Sequence, residues 1–293
     1  MAETMKARLQ TIEQLPTLPE VACQILNITN RPMLSIHELR EIVERDPAIS
    51  SRVLSVANSA FFGFPARTDA LDEAIMRIGL ENVKSIAMGI SVMSMFGDIK
   101  ITDTYRRLFN HSLTVGLTAR QIAKGLRMST EGDIFIDGLL HDLGLLVLDV
   151  YFPELYEEIL NAMDTRSLLE VEKDVLGNTH AEIGFWLAEK WNLPDSVLCA
   201  ILFHHTPSLA SRSMEHVAIL HIADYFVSSN ILIPSMKEMN YSFDRLSLDI
   251  IGIGDNEMRS IEESIASVSS DALFRSLLTQ CGTELDHTSC FAV

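Results

Sequence analysis

Apolar residues recur along this chain at helical spacing, from near its start to about residue 230. In "DPAISSRVLSVAN", Ile49, Val53, Val56 and Ala57 fall on one helical face. Asp46 is placed to cap that helix, with Pro47 at its first position. Start signals of capping-box form recur at Thr17–Glu20, Ser35–Glu38 and Thr179–Glu182. No stretch keeps a period-2 alternation over several strands. The pattern predicts an all-α protein, a two-lobed helical bundle. Residues 8–97 are expected to form a lobe of short helices, and residues 101–230 a lobe of longer ones. Residues 231–293 read as a polar, acidic extension with one amphipathic candidate, "DNEMRSIEESIASV". Its last residues, "GTELDHTSCFAV", are expected to fray. No internal repeat is visible.

Within the first lobe, "LDEAIMRIGLENVKSIAMGISVMSM" reads as helix, glycine turn, helix. That shape invites comparison with a DNA-reading helix-turn-helix. Its second helix carries Lys84 as its sole basic residue and is filled with Ile86, Met88, Ile90, Val92, Met93 and Met95. A buried packing hairpin is the better reading.

Charge narrows the partners. The net charge is −17, and residues 101–230 carry 9 basic against 18 acidic side chains. Such a surface repels phosphate backbones and disfavours general nucleic-acid binding. No uncharged apolar run reaches the roughly 18 residues of a membrane span. The opening "MAETMKARLQTIEQ" is polar and has no signal-peptide core. Cys23, Cys199, Cys281 and Cys290 form no CxxC pair, which fits free thiols and a cytoplasmic protein. Cys199, in "VLCAIL", reads as core.

The chemistry concentrates in the second lobe, which holds seven of the nine histidines. "GLLHDLGLL" sets His141 and Asp142 inside an apolar run, and burying such a pair without partners is expensive. His111 sits in "LFNHSLTVGLTA", His180 opens a capped helix, His204 and His205 end "SVLCAILFHH", and Asp224 sits in "VAILHIADYF". Imidazole with carboxylate is the usual donor set for Zn, Mn, Fe or Ni. In a two-ion site a carboxylate can bridge both ions, and Asp142 is the natural candidate. The other reading is a buried hydrogen-bonded network without metal. His221, one turn before Asp224, is a candidate to support a ligand. His37 and His287 read as solvated.

The order H, HD, H, HH, D resembles the HD superfamily, and the fuller set resembles that of the HD-GYP phosphodiesterases. The resemblance implies a one-ion set of His111, His141, Asp142 and Asp224, with His180, His204 and His205 completing a second site. "LPTLPEVACQIL", "LREIVERDPAISSRVLSVANSAFFGFP" and "LDEAIMRIGLENVKSIAMG" are similar to the HDOD module, the HD-related output domain, over roughly residues 8–230. That family implies an all-α, non-enzymatic bacterial signalling module working through a protein partner or a small regulatory ligand.

Two departures separate the chain from the enzymes. Leu145 stands where HD-GYP enzymes carry a lysine, and "HHTPSLASRS" replaces the loop after their double histidine. From His141 to Thr165 there is no Lys or Arg, and from His205 to Met236 only Arg212. A site that grips a phosphodiester wants cations besides its metals. Arg106, Arg107, Arg120 and Lys124 are the nearest in sequence to His111. A non-catalytic output module with one or two retained ions is the expectation. The alternative is a metal-dependent phosphodiesterase acting on a nucleotide or cyclic dinucleotide.

Overall fold

The structure, a computed structural model of the chain, describes residues 5–12, 15, 17–29, 35–58, 64, 66–95, 102–128, 134–163, 166–229, 243–254, 256–259 and 261. Every regular element these residues form is helical. They fall into two compact units. One is Pro19–Ser94, and the other joins the residues that flank it on either side.

The Pro19–Ser94 unit holds α2 (Glu20–Thr29), α3 (Ile36–Glu44), α4 (Pro47–Ala57), α5 (Leu71–Ile78) and α6 (Leu80–Ser94). The expected caps form at α3 and α4. Ser35 and Glu38 make a reciprocal capping box, and Asp46 accepts from the N–H groups of Ala48 and Ile49 ahead of Pro47. Ile49, Val53, Val56 and Ala57 are buried together. At α2 the chain differs from the expectation. The helix begins at Glu20, and Cys23 N–H donates to the Pro19 carbonyl. Pro19 has no N–H to give, so it suits the boundary position.

Gly79, at φ 91°, turns α5 into α6 in a backbone region that favours glycine. From Val83 to Val92 every residue of α6 is buried, so this stretch has no face for a DNA groove. The packing hairpin is what forms, although the Met93 side chain lies outside the described residues. A polar clasp closes the chain between α4 and α5. Asn58 donates to the Thr68 carbonyl (2.7 Å) and accepts from Thr68 N–H (2.8 Å). Thr68 Oγ1 donates in turn to Glu73 (2.6 Å).

The other unit contains α1 (Met5–Thr11), α7 (Asp103–Gly125), α8 (Ile134–Leu140), α9 (Leu143–Tyr151), α10 (Pro153–Ala162), α11 (Leu168–Leu176), α12 (His180–Lys190), α13 (Asp195–Phe203), a 3-10 turn (Pro207–Leu209), α14 (Met214–Ser229) and α15 (Leu246–Ile251). The expected box at Thr179–Glu182 opens α12. A second box, Ser167–Glu170, opens α11.

Two glycine pairs set the helix spacing. A Cβ on Gly138 of α8 would overlap Gly116 of α7, and a Cβ on Gly144 of α9 would overlap the His180 backbone of α12, beside Gly184. Each pair lets two backbones approach more closely than any other residue allows. Of the C-terminal extension, α15 packs on α14, with Phe243, Ile251, Ile253, Met258 and Ile261 against the same apolar core. Asn256–Arg259 and Ile261 of the amphipathic candidate are helical. The rest of that candidate, and Cys281, His287 and Cys290, lie outside the described residues. No helix of the described residues is long and apolar enough to cross a membrane.

Candidate metal centre

The helix carrying "GLLHDLGLL" does not run through. α8 ends at Leu140, His141 and Asp142 form a turn, and α9 starts at Leu143. Leu145 N–H bonds the Asp142 carbonyl at 2.9 Å, restarting the helix. This break lets two neighbouring side chains point into one place, which a continuous helix would hold about 100° apart.

All seven expected residues meet there. α7 brings His111, the α8–α9 turn His141 and Asp142, the start of α12 His180, the end of α13 His204 and His205, and α14 Asp224. The Asp142 carboxylate divides them. Its Oδ2 lies 3.2 Å from His141 Nε2 and 3.5 Å from His111 Nε2. Its Oδ1 lies 3.4 Å from His180 Nε2 and 3.6 Å from His204 Nε2. His180 Nε2 also lies 3.3 Å from His204 Nε2 and 3.0 Å from His205 Nε2. Asp224 Oδ1 closes the first group, 3.0 Å from His111 Nε2 and 3.9 Å from His141 Nε2.

The donor set fits divalent ions. Ligand atoms about 2.1 Å from one ion stand roughly 3.0–3.4 Å apart at tetrahedral or octahedral angles. Most of the separations above lie in or near that range. His111 Nε2, His141 Nε2 and both Asp142 oxygens are buried without a hydrogen bond of good geometry. Such atoms are costly to leave unsatisfied, and here they face one another. Two sets of donors that could hold an ion emerge, His111 with His141 and Asp142, and Asp142 with His180, His204 and His205.

The far side of each ring explains why Nε2 points inward. His141 Nδ1 donates to the Gly138 carbonyl (2.7 Å) and His204 Nδ1 to the Ile201 carbonyl (2.8 Å). Carbonyls can only accept, so in the neutral ring Nδ1 carries the proton and Nε2 keeps its lone pair. His180 Nδ1 meets the Glu172 carboxylate at 2.8 and 2.9 Å, and the same carboxylate takes the His180 N–H at 3.0 Å.

The site's electrostatics are polarised. Burial works against a charged His180, but Glu172 and Asp142 outweigh it and lift the ring to about 10. Burial, then the neighbouring His141, push His204 down to about 3. His205 is likewise held well below its ordinary value by burial and by His204. Burial would raise Asp142, yet His141 and His180 hold it well below the carboxylate range.

Two supporting residues, Glu172 and Asp137, escape the sequence reading. Glu172 is fully buried and follows Leu168 and Val171 on the buried stripe of α11. An acid on an apolar stripe was the signal. Asp137 of α8 takes His216 Nδ1 of α14 at 2.9 Å, again an acid inside an apolar run. His221, expected as support, gives its Nδ1 proton to the His204 carbonyl (2.7 Å) and accepts Asp244 N–H (2.9 Å). It holds the double-histidine turn through the backbone.

His37 is exposed beside Glu41. Cys199 is half-buried rather than core. Leu145 is fully buried in α9. Among the described residues no Lys or Arg pairs with Asp142 or Asp224. Arg120 lies over the Phe135 ring, and Arg107 donates to Thr104.

The chain matches the model of the HDOD domain over residues 15–207. A Treponema pallidum protein, itself uncharacterized, is 29% identical over 198 residues, 66% of this chain and 38% of that protein. This chain therefore spans less than half of that relative's length. A Marinobacter aquaeolei structure, provisionally named a signal transduction protein, superposes with a TM-score of 0.72 at 22% identity, covering 96% of this chain and 61% of that one. A Shewanella amazonensis structure, provisionally named a phosphohydrolase, gives a TM-score of 0.70 at 24% identity, covering 93% and 97%. At these identities the two structures speak for the fold.

Proposed function

The chain belongs to the HDOD domain family, and on that footing we propose that it is a non-catalytic bacterial signalling module, cytoplasmic, with a retained divalent-metal centre. The observation that carries this reading is the sealing of the cluster. His111, His141, Asp142, His180, His204 and Asp224 are each at most 2% exposed, and only His205 reaches half-burial. A phosphodiester would have to reach this centre and be gripped there by cations that do not pair with its carboxylates. Leu145, in the place of the enzymes' lysine, supports the same reading.

His111, His141, Asp142 and Asp224 would hold one ion, and Asp142, His180, His204 and His205 a second, of the Fe, Mn, Zn or Ni class. Ions in that position supply charge stabilisation and an activated water in hydrolases. In this module the residues tie α7, α9, α12, α13 and α14 to one point, and so fix the helical surface offered to a signalling protein or a small regulatory ligand. A phosphodiesterase is the second reading, favoured by the division of Asp142 between two histidine groups.

Assay of the purified, Mn- or Fe-loaded chain against cyclic dinucleotides and nucleotides separates the two. The module reading predicts bound metal without turnover. Turnover lost in His141→Ala and Asp142→Ala variants would replace it with the hydrolase.

A further inference from the structure

The two halves of the cluster are built from different donors and reach solvent differently. The Asp142 Oδ1 half gathers three imidazoles, His180, His204 and His205, with a single carboxylate oxygen. The Asp142 Oδ2 half pairs two imidazoles, His111 and His141, with two carboxylates, counting Asp224. Imidazole-rich sets favour late first-row ions such as Zn2+, while carboxylate-rich sets accept harder ions such as Mn2+ or Mg2+.

Orientation adds to this. Two of the three imidazoles are locked from behind, His204 by the Ile201 carbonyl and His180 by both oxygens of Glu172. A carboxylate behind a histidine fixes the ring and makes its free nitrogen a stronger donor. Among the candidate ligands His180 is the one backed by a carboxylate, and it belongs to the three-imidazole half. That half also contains His205, the one member that is not fully buried, whereas His111, His141 and Asp224 are buried to 2% exposure or less. An arriving ion meets the three-imidazole half first.

From this we infer that the centre loads in order. The first ion is a late first-row ion of the Zn2+ type, admitted at His205 and held by His180, His204, His205 and Asp142 with Glu172 as the positioning residue. The second half then takes a harder ion. This rests on the metal-centre reading above and adds to it an order, a selectivity and a role for Glu172.

The test is a Zn2+ titration of the metal-stripped full chain in excess Mg2+, followed by calorimetry or a competing chromophoric chelator. One tight equivalent is expected. Glu172→Gln should weaken it about 10- to 100-fold, the range for loss of a supporting carboxylate. His111→Ala should weaken it less than Glu172→Gln does, since His111 lies outside the first-loading set. If Glu172→Gln fails to fold, as judged by its circular dichroism melt, His205→Ala at the more exposed edge takes its place and should lose the equivalent. Loss of the first equivalent in His111→Ala, with Glu172→Gln or His205→Ala unchanged, overturns the loading order and leaves the metal centre standing. Two equal equivalents overturn the order as well. No Zn2+ uptake at all overturns both.

Discussion

Gly144 of α9 lies against His180 of α12 so closely that a methyl group on it would overlap the His180 carbonyl oxygen. The same contact puts Asp142, two residues earlier, within 3.4 Å of the His180 ring. Gly144→Ala must therefore push α12 away or twist the α8–α9 turn. Overpacking of this kind costs about 1–3 kcal/mol, and more where backbone must move. The variant should melt below the parent and lose metal affinity together. A loss of stability with unchanged metal binding would separate the contact from the centre.

Metal removal should be visible as stability. An ion that binds only the folded chain adds about 2.7 kcal/mol at a hundredfold excess over its Kd. Addition of Mn2+ or Zn2+ to stripped protein should raise the melting temperature by several degrees, and EDTA should reverse the rise. His141→Ala combined with Asp142→Ala should abolish the rise. A rise that survives the double substitution would place the ion elsewhere.

Leu145 gives a test against the enzymes. It is fully buried in α9, so Leu145→Lys puts an unpaired charge into the core instead of restoring a phosphate grip. The variant should be destabilised by about 3 kcal/mol or more and should gain no phosphodiesterase activity. Hydrolysis by Leu145→Lys at parental stability would show that the lysine position reaches the site.

In the Pro19–Ser94 unit, Glu73 is held below the ordinary glutamate value by the Thr68 hydroxyl and by Arg77, against a smaller opposing effect of burial. A lowered carboxyl favours the folded state above the unfolded value, and the benefit fades as pH falls through the folded one. Thr68→Val removes the hydroxyl that donates to Glu73. Its melting temperature should fall below the parent at pH 7, and the gap should narrow as the pH is taken below about 4. A gap independent of pH would assign the loss to Thr68 packing alone.

Much of this was legible in the sequence because it was written in local signals. The caps at Ser35, Asp46 and Thr179 and the apolar stripe of α4 follow from neighbours within one or two turns. The seven histidine and aspartate positions stood out because each is a polar residue in an apolar run. The break at His141–Asp142 did not, since nothing local forbids a helix through "GLLHDLGLL". The roles of Gly138 and Gly144 also escaped, because they are set by backbones far away in sequence, Gly116 and His180. Glu172 and Asp137 each stand as an acid on an apolar stripe, but their partners, His180 and His216, lie on other helices. At Thr17 the box pattern was present, yet the helix starts later, at Glu20.

Asp142 would stand between the two proposed ions. Anomalous diffraction at the metal edges, from crystals of the loaded chain with elemental analysis of the same protein, measures this directly. Stoichiometric metal is expected, with one peak on the His111–His141–Asp224 side of Asp142 and one on the His180–His204–His205 side. Loaded protein with no peak on either side, and the histidines hydrogen-bonded to the carboxylates alone, would contradict it.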